Sequence, residues 1–139
     1  APAQSSRFCS RDRIPQNRLH FNVTGPQFKS IHEYLESIYD EAFEYFDAVA
    51  EHVKMQGQFP LVNSAEYAKL TKIEELGQED IPQAKVIDIL LKDFKYMNDQ
   101  AVAIRAAADE EGDFLLVSMM EDHVAYYVKQ IWFIESMLK

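Results

Sequence analysis

An all-α bundle is the fold this sequence predicts. Three observations carry the prediction. The 139 residues hold only four Gly and five Pro, so little interrupts a helix. Apolar residues recur at three- and four-residue intervals through three long segments, the period of a buried helical face. No stretch alternates apolar and polar residues as a half-buried strand does. A hydrophobic content of 47% excludes disorder as the default, and the length fits a single domain, residues 1–139, with a real core.

The elements follow in order. Residues 1–18 carry Arg7, Arg11, Arg13 and Arg18 against one acid, Asp12, with Pro2 and Pro15 among them. They read as an atypical extended arm, with at most a short helix from Gln16 to Val23, because proline interrupts a helix that crosses it. Thr24-Gly25-Pro26 is a turn. The stretch from Pro26 to Gly57 contains no helix breaker, and Ile31, Leu35, Ile38, Ala42, Tyr45, Val49 and Val53 fall on one of its faces, so 26–57 is a long helix. Asn63 and Glu66 have capping-box spacing and predict a short helix over 63–70, followed by the polar linker TKIEELGQED. Asp80 and Pro82 mark the start of a helix over 82–111, with Val86, Ile89, Leu90, Phe94, Met97, Ala101, Ile104 and Ala108 facing inward. Gly112 stops it and Asp113 caps the last helix, 113–138, whose inner face is Leu116, Met120, Val124, Tyr127, Ile131, Ile134 and Leu138.

Charge narrows the function. A net charge of −9 argues against a nucleic-acid surface, which needs clustered Lys and Arg, and fits a protein that gathers cations. The lone Cys9 has no internal disulfide partner, which fits a reducing cytoplasm. No apolar run approaches the ~20 residues of a membrane span, and the start APAQSSRFCSRDR carries no apolar signal core.

The 26–57 helix carries a second stripe. At about 100° per residue, with His32 at zero, Glu36 falls near 40°, Asp47 near 60° and Glu51 near 100°. His32/Glu36 and Asp47/Glu51 are each i,i+4 pairs whose side chains can meet. The pairs lie about 15 residues, roughly 22 Å, apart along the axis, too far for one metal ion on one straight helix. Two copies lying antiparallel across a two-fold axis would bring His32/Glu36 of one against Asp47/Glu51 of the other, making two equivalent sites. On spacing alone, a solvated acidic face is the other reading.

The words around this stripe decide between the two. LHFNVTGPQFKSIHEYLE, with DAVAE eleven residues after Glu36, resembles the Dps family of mini-ferritins. PLVNSAEYAKLTKIEEL and KQIWFIESML look most similar to its neutrophil-activating protein branch. The family's motif is a His in an HWNxxG phrase, a second His twelve residues on, an acid four later, and an Asp-x-x-x-Glu pair eleven after that. His20, His32, Glu36, Asp47 and Glu51 keep every spacing. The resemblance implies a ferritin-like four-helix bundle with a short helix in its middle connection. It also implies a dodecameric shell built through two-fold and three-fold contacts, and ferroxidase centres between subunits. There Fe(II) is oxidised, preferably by hydrogen peroxide rather than dioxygen, and Fe(III) is stored as mineral. This sequence departs from the pattern at Phe21, where Trp is usual, and at Glu36, where Asp is usual. Residues 1–19 do not resemble the family's first helix, so that helix is expected to be shortened or atypical.

Iron chemistry suits the five residues, because Fe(II) takes imidazole nitrogen with carboxylate oxygen. His32 and Glu51 are assigned as primary ligands, Asp47 as a second carboxylate, and His20 as holder of a weaker second metal or a water. Asp40 lies near the stripe and would tune its charge. Asp109, Glu110, Glu111, Asp113, Glu121 and Asp122 are candidates for iron entry at a pore, as the resemblance implies, or simply acids at a helix N-terminus. His52 and His123 read as surface residues, Trp132 as core, and the seven Tyr as packing residues. Two other functions stay open: a DNA-compacting protein, disfavoured by the charge, and a shell that has lost catalysis and serves as an interaction module.

Overall fold

The computed structural model of the chain describes residues 19–60 and 79–139. The expectations for the arm (1–18), for a shortened first helix and for the helix over 63–70 lie outside the described residues. Residues 19–22 are helical and lead into a two-residue strand, β1 (Val23–Thr24). The long helix α1 (Phe28–Met55) follows, then strand β2 (Ile81–Pro82), helix α2 (Gln83–Glu111) and helix α3 (Phe114–Met137).

The bundle is tied at both ends. At one end β1 and β2 pair in parallel, Val23 with Ile81 and Thr24 with Pro82. This pairing departs from the strand-free reading, because two residues carry no periodicity to detect. Beside it, Gln83 at the start of α2 accepts a hydrogen bond from the Gln27 N–H at 3.0 Å, so the N-termini of α1 and α2 are neighbours. At the other end His52 and Gln56 of α1 meet Asp113, which follows α2 directly. The two helices therefore run in the same direction. They have 28 and 29 residues, each about 42–44 Å at 1.5 Å per residue. A two-residue corner, with Gly112 at φ 71°, then turns the chain back into α3. There Gly112 N–H donates to Asp109 C=O at 3.1 Å and Asp113 N–H to Ala108 C=O at 2.9 Å, the paired bonds of a Schellman stop.

The core joins the inward stripes. Ile31, Leu35, Ile38, Val49 and Val53 of α1 are buried, as are Phe94, Met97 and Ile104 of α2, and Leu116, Met120, Tyr127 and Ile134 of α3. Four expectations change. Leu138, at the end of the α3 stripe, is 54% exposed. Trp132 is 63% exposed, its ring against Phe133, because it stands two residues, about 200° of turn, from both buried Gln130 and buried Ile134. His52 and His123, read as surface residues, are both 2% exposed. Each sits on its helix's apolar stripe, His52 between Val49 and Val53 and His123 between Met120 and Tyr127; position overrides polarity. His123 stacks on Tyr45 with ring centroids 4.1 Å apart. Among the described residues no helix is long and apolar enough to cross a membrane.

Candidate metal centre

The structure brings His20 and His32 together. His20 lies in the helical stretch 19–22, and His32 stands on the first turns of α1, so the β1 turn folds one back over the other. The rings stack with centroids 3.9 Å apart at 21°. Each ring bonds the other's backbone: His20 Nδ1 lies 3.1 Å from the His32 carbonyl and His32 Nδ1 lies 2.9 Å from the His20 carbonyl. A carbonyl only accepts, so both Nδ1 atoms carry the proton. In neutral imidazoles this leaves both Nε2 lone pairs as donors to a metal. A ring hydrogen bond that fixes tautomer and orientation is the usual support of a metal-ligating histidine. Phe21 and Phe28 flank the pair, each with its ring centroid 5.2 Å from an imidazole.

Glu36 is exposed one turn beyond His32, and Asp47 and Glu51 are exposed on the last third of α1. Among the described residues no group of three or more His, Cys, Asp and Glu is placed to hold a metal. Between the two halves of the stripe lies a shallow concavity of about 460 Å³ lined by Tyr39, Asp40, Phe43 and Glu44. Phe43, one of these lining residues, is 44% exposed. Asp40, placed by its spacing near the stripe, is in this wall.

The acids at the start of α3 divide. Asp109, Glu110, Glu111 and Asp122 are exposed. Glu121 is held by Arg105, whose Nη2 lies 3.0 Å away. Both oxygens of Asp113 are engaged: Oδ1 accepts from the Leu116 N–H at 3.2 Å, and Oδ2 accepts from His52 Nε2 at 3.0 Å and Gln56 Nε2 at 2.7 Å. Burial works to raise the Asp113 pKa, but these hydrogen bonds and the His52 charge together hold it below the ordinary 3.8. Behind α1, Tyr34 donates to Gln130 of α3, and burial pushes its phenol up to about 12. Burial, with repulsion from Tyr34, Glu41 and Tyr45, pushes Tyr126 up as well.

A bundle of long helices with an imidazole pair beside a carboxylate-bearing helix defines a ferritin-like protein. Residues 17–139 match the family described as "Ferritin-like domain", and the chain belongs to that family, within its Dps branch. It is 30% identical over 122 residues, 88% of this chain and 85% of the relative, to the "DNA protection during starvation protein" of Helicobacter pylori. The protein of the same name from Brevibacillus brevis is also 30% identical, over 91% of this chain and 84% of its own length. Among solved structures, Helicobacter cinaedi CAIP superposes with a TM-score of 0.92 at 28% identity, covering 99% of this chain and 96% of that one. A Dps protein from Bacillus brevis gives 0.91 at 25% identity, covering 99% and 92%.

Proposed function

We propose that the protein is a ferroxidase that stores iron. Two copies join through the α1 face to build two centres, each from His20, His32 and Glu36 of one subunit and Asp47 and Glu51 of its mate. The observation that carries this reading is the reciprocal imidazole–carbonyl bonding, which leaves the Nε2 lone pair of each neutral ring for a metal. The concavity at Tyr39, Asp40, Phe43 and Glu44 supports it. It lies midway between the two ligand pairs, where an antiparallel mate would cross, and it presents an apolar ring for burial. Six such pairs closed through three-fold contacts would give the shell of twelve, in a cytoplasmic setting.

Fe(II) is the substrate. His32 and Glu51 hold it first, Asp47 adds a second carboxylate, and His20 serves a weaker second position. Two Fe(II) each give one electron to one hydrogen peroxide, whose O–O bond breaks to two hydroxide ions, so no hydroxyl radical is released. The carboxylates favour the ferric product through added negative charge. Phe21, with no N–H and a ring hard to oxidise, leaves this chemistry to the metal. The exposed Asp109, Glu110 and Asp122 would gather Fe(II) by their field.

Adding Fe(II) and peroxide and following the ferric absorbance band tests the proposal. The expected result is oxidation well above a protein-free control, abolished by Glu51→Ala with the native mass unchanged. No band above the control overturns it. The name of the two relatives, DNA protection during starvation protein, points to a second reading, DNA protection by binding. The charge of −9 opposes it, and a gel shift at low salt that retards plasmid would restore it.

A further inference from the structure

The proposed centre needs Asp47 and Glu51 held at a fixed angle and height on α1, and the chain carries a contact at that level. One residue beyond Glu51, His52 turns into the bundle with its side chain 3% exposed. Nε2 reaches Asp113 Oδ2 at 3.0 Å. Its other nitrogen, Nδ1, has no partner among the described residues, so Asp113 is the polar tie of this ring. One turn later Gln56 donates to the same oxygen at 2.7 Å. Asp113 itself is not free to follow α1. Its carboxylate caps α3 through Leu116 and its N–H closes the α2–α3 corner on Ala108. A fixed oxygen read by two side chains four residues apart sets both the rotation and the axial position of the last turns of α1. A rotation by one residue step, about 100°, would break both bonds and swing Glu51 to a different side of the bundle.

We propose that His52 and Asp113 are positioning residues for the metal centre, a latch that fixes the direction in which Asp47 and Glu51 face the mate. This rests on the site reading above. The latch acts on one half of the centre alone. His32 lies about 20 residues, roughly 30 Å, back along the helix, and its ring is held by the His20 carbonyl instead. The bond joins a buried donor to an ionised carboxylate, the stronger class of hydrogen bond, and water has little access to replace it.

The test compares the full-length wild type with His52→Phe, Asp113→Ser and His52→Gln. Phe fills the ring's place without a donor, and Asp113 keeps Gln56 and Leu116. Ser is as good an N-cap as Asp but does not reach His52. Gln places an amide N–H where Nε2 stands. Each protein is measured for native mass, melting temperature, Fe(II) dependence of the initial oxidation rate, Zn(II) affinity by calorimetry, and amide exchange. His52→Phe and Asp113→Ser are expected to raise the half-saturating Fe(II) concentration and weaken Zn(II) binding about tenfold, the scale of lost outer-shell support. Faster exchange is expected over residues 49–56 and not over 31–40, with the native mass retained and His52→Gln close to wild type. Wild-type Fe(II) half-saturation and Zn(II) affinity in both broken variants, with only the melting temperature lowered, overturn the latch. If His52→Phe fails to assemble, Asp113→Ser, which leaves the core untouched, decides alone. A wild type that oxidises no Fe(II) above the protein-free control sinks the site reading and the latch with it; an active wild type with unaffected variants sinks the latch only.

Discussion

His20 and His32 show what a single residue's neighbours decide. Twelve residues of spacing place both imidazoles near one end of α1, and that much is legible in the sequence. That each ring is pinned by the other's carbonyl is not, because it depends on how the β1 turn folds 19–22 back over the helix. His52 and His123 teach the converse. Both stand on apolar stripes, and reading them as polar residues rather than as stripe positions put them on the surface. Burial has a measurable consequence at His123, whose pKa is pushed down to about 4 from 6.5. The unfolded chain therefore takes a proton near pH 6.5 that the fold refuses until about pH 4. The resulting stability is complete above pH 6.5 and lost as pH falls toward 4. Asp93 has the opposite sign: burial raises its pKa to about 6 from 3.8, so its contribution is complete below pH 3.8 and lost as pH rises through 6. His123→Gln should flatten the acid side of the melting-temperature profile. Asp93→Asn should stabilise at pH 7 by on the order of 1–3 kcal/mol and lose that gain below pH 4. Thermal melts of wild type and variants from pH 4 to 8 read both effects.

At the scale of elements, the long helices were legible because their apolar periods run for about six turns, while the β1–β2 pairing was not, because two-residue strands have no period. What makes that junction possible is Gly25. Its φ is +140°, and a Cβ there would stand 2.5 Å from Gln83 Oε1, the atom that accepts from Gln27. Two independent penalties meet at one position, a backbone conformation that disfavours side chains and a clash with the group that ties α1 to α2. Gly25→Ala is expected to cost about 1–3 kcal/mol. It should also disturb the His20–His32 pair next to it. A lowered melting temperature together with weaker Zn(II) binding checks this, whereas Gly57→Ala, with nothing within 4 Å of its Cβ, should leave metal binding unchanged.

For the whole molecule, the bundle that the helical periods foretell is the bundle that Helicobacter cinaedi CAIP matches at a TM-score of 0.92. The candidate centre was legible only as a stripe, since under the proposal its other half would come from a second copy. Native mass spectrometry is the direct measurement: the proposed assembly predicts twelve 16.1 kDa chains, and a monomer would leave Glu51 without a histidine partner.

The parallel course of α1 and α2 sets the order in which the chain can fold. α2 and α3 meet across a two-residue corner, a closure that costs little entropy and is completed early. α1 pairs with them through contacts such as His52 with Asp113, 61 residues apart, and the larger loop must be closed before any of these reward it. A hairpin of α2 and α3 should therefore form first and wait as a template, with α1, the helix of the proposed ligands, the last to dock.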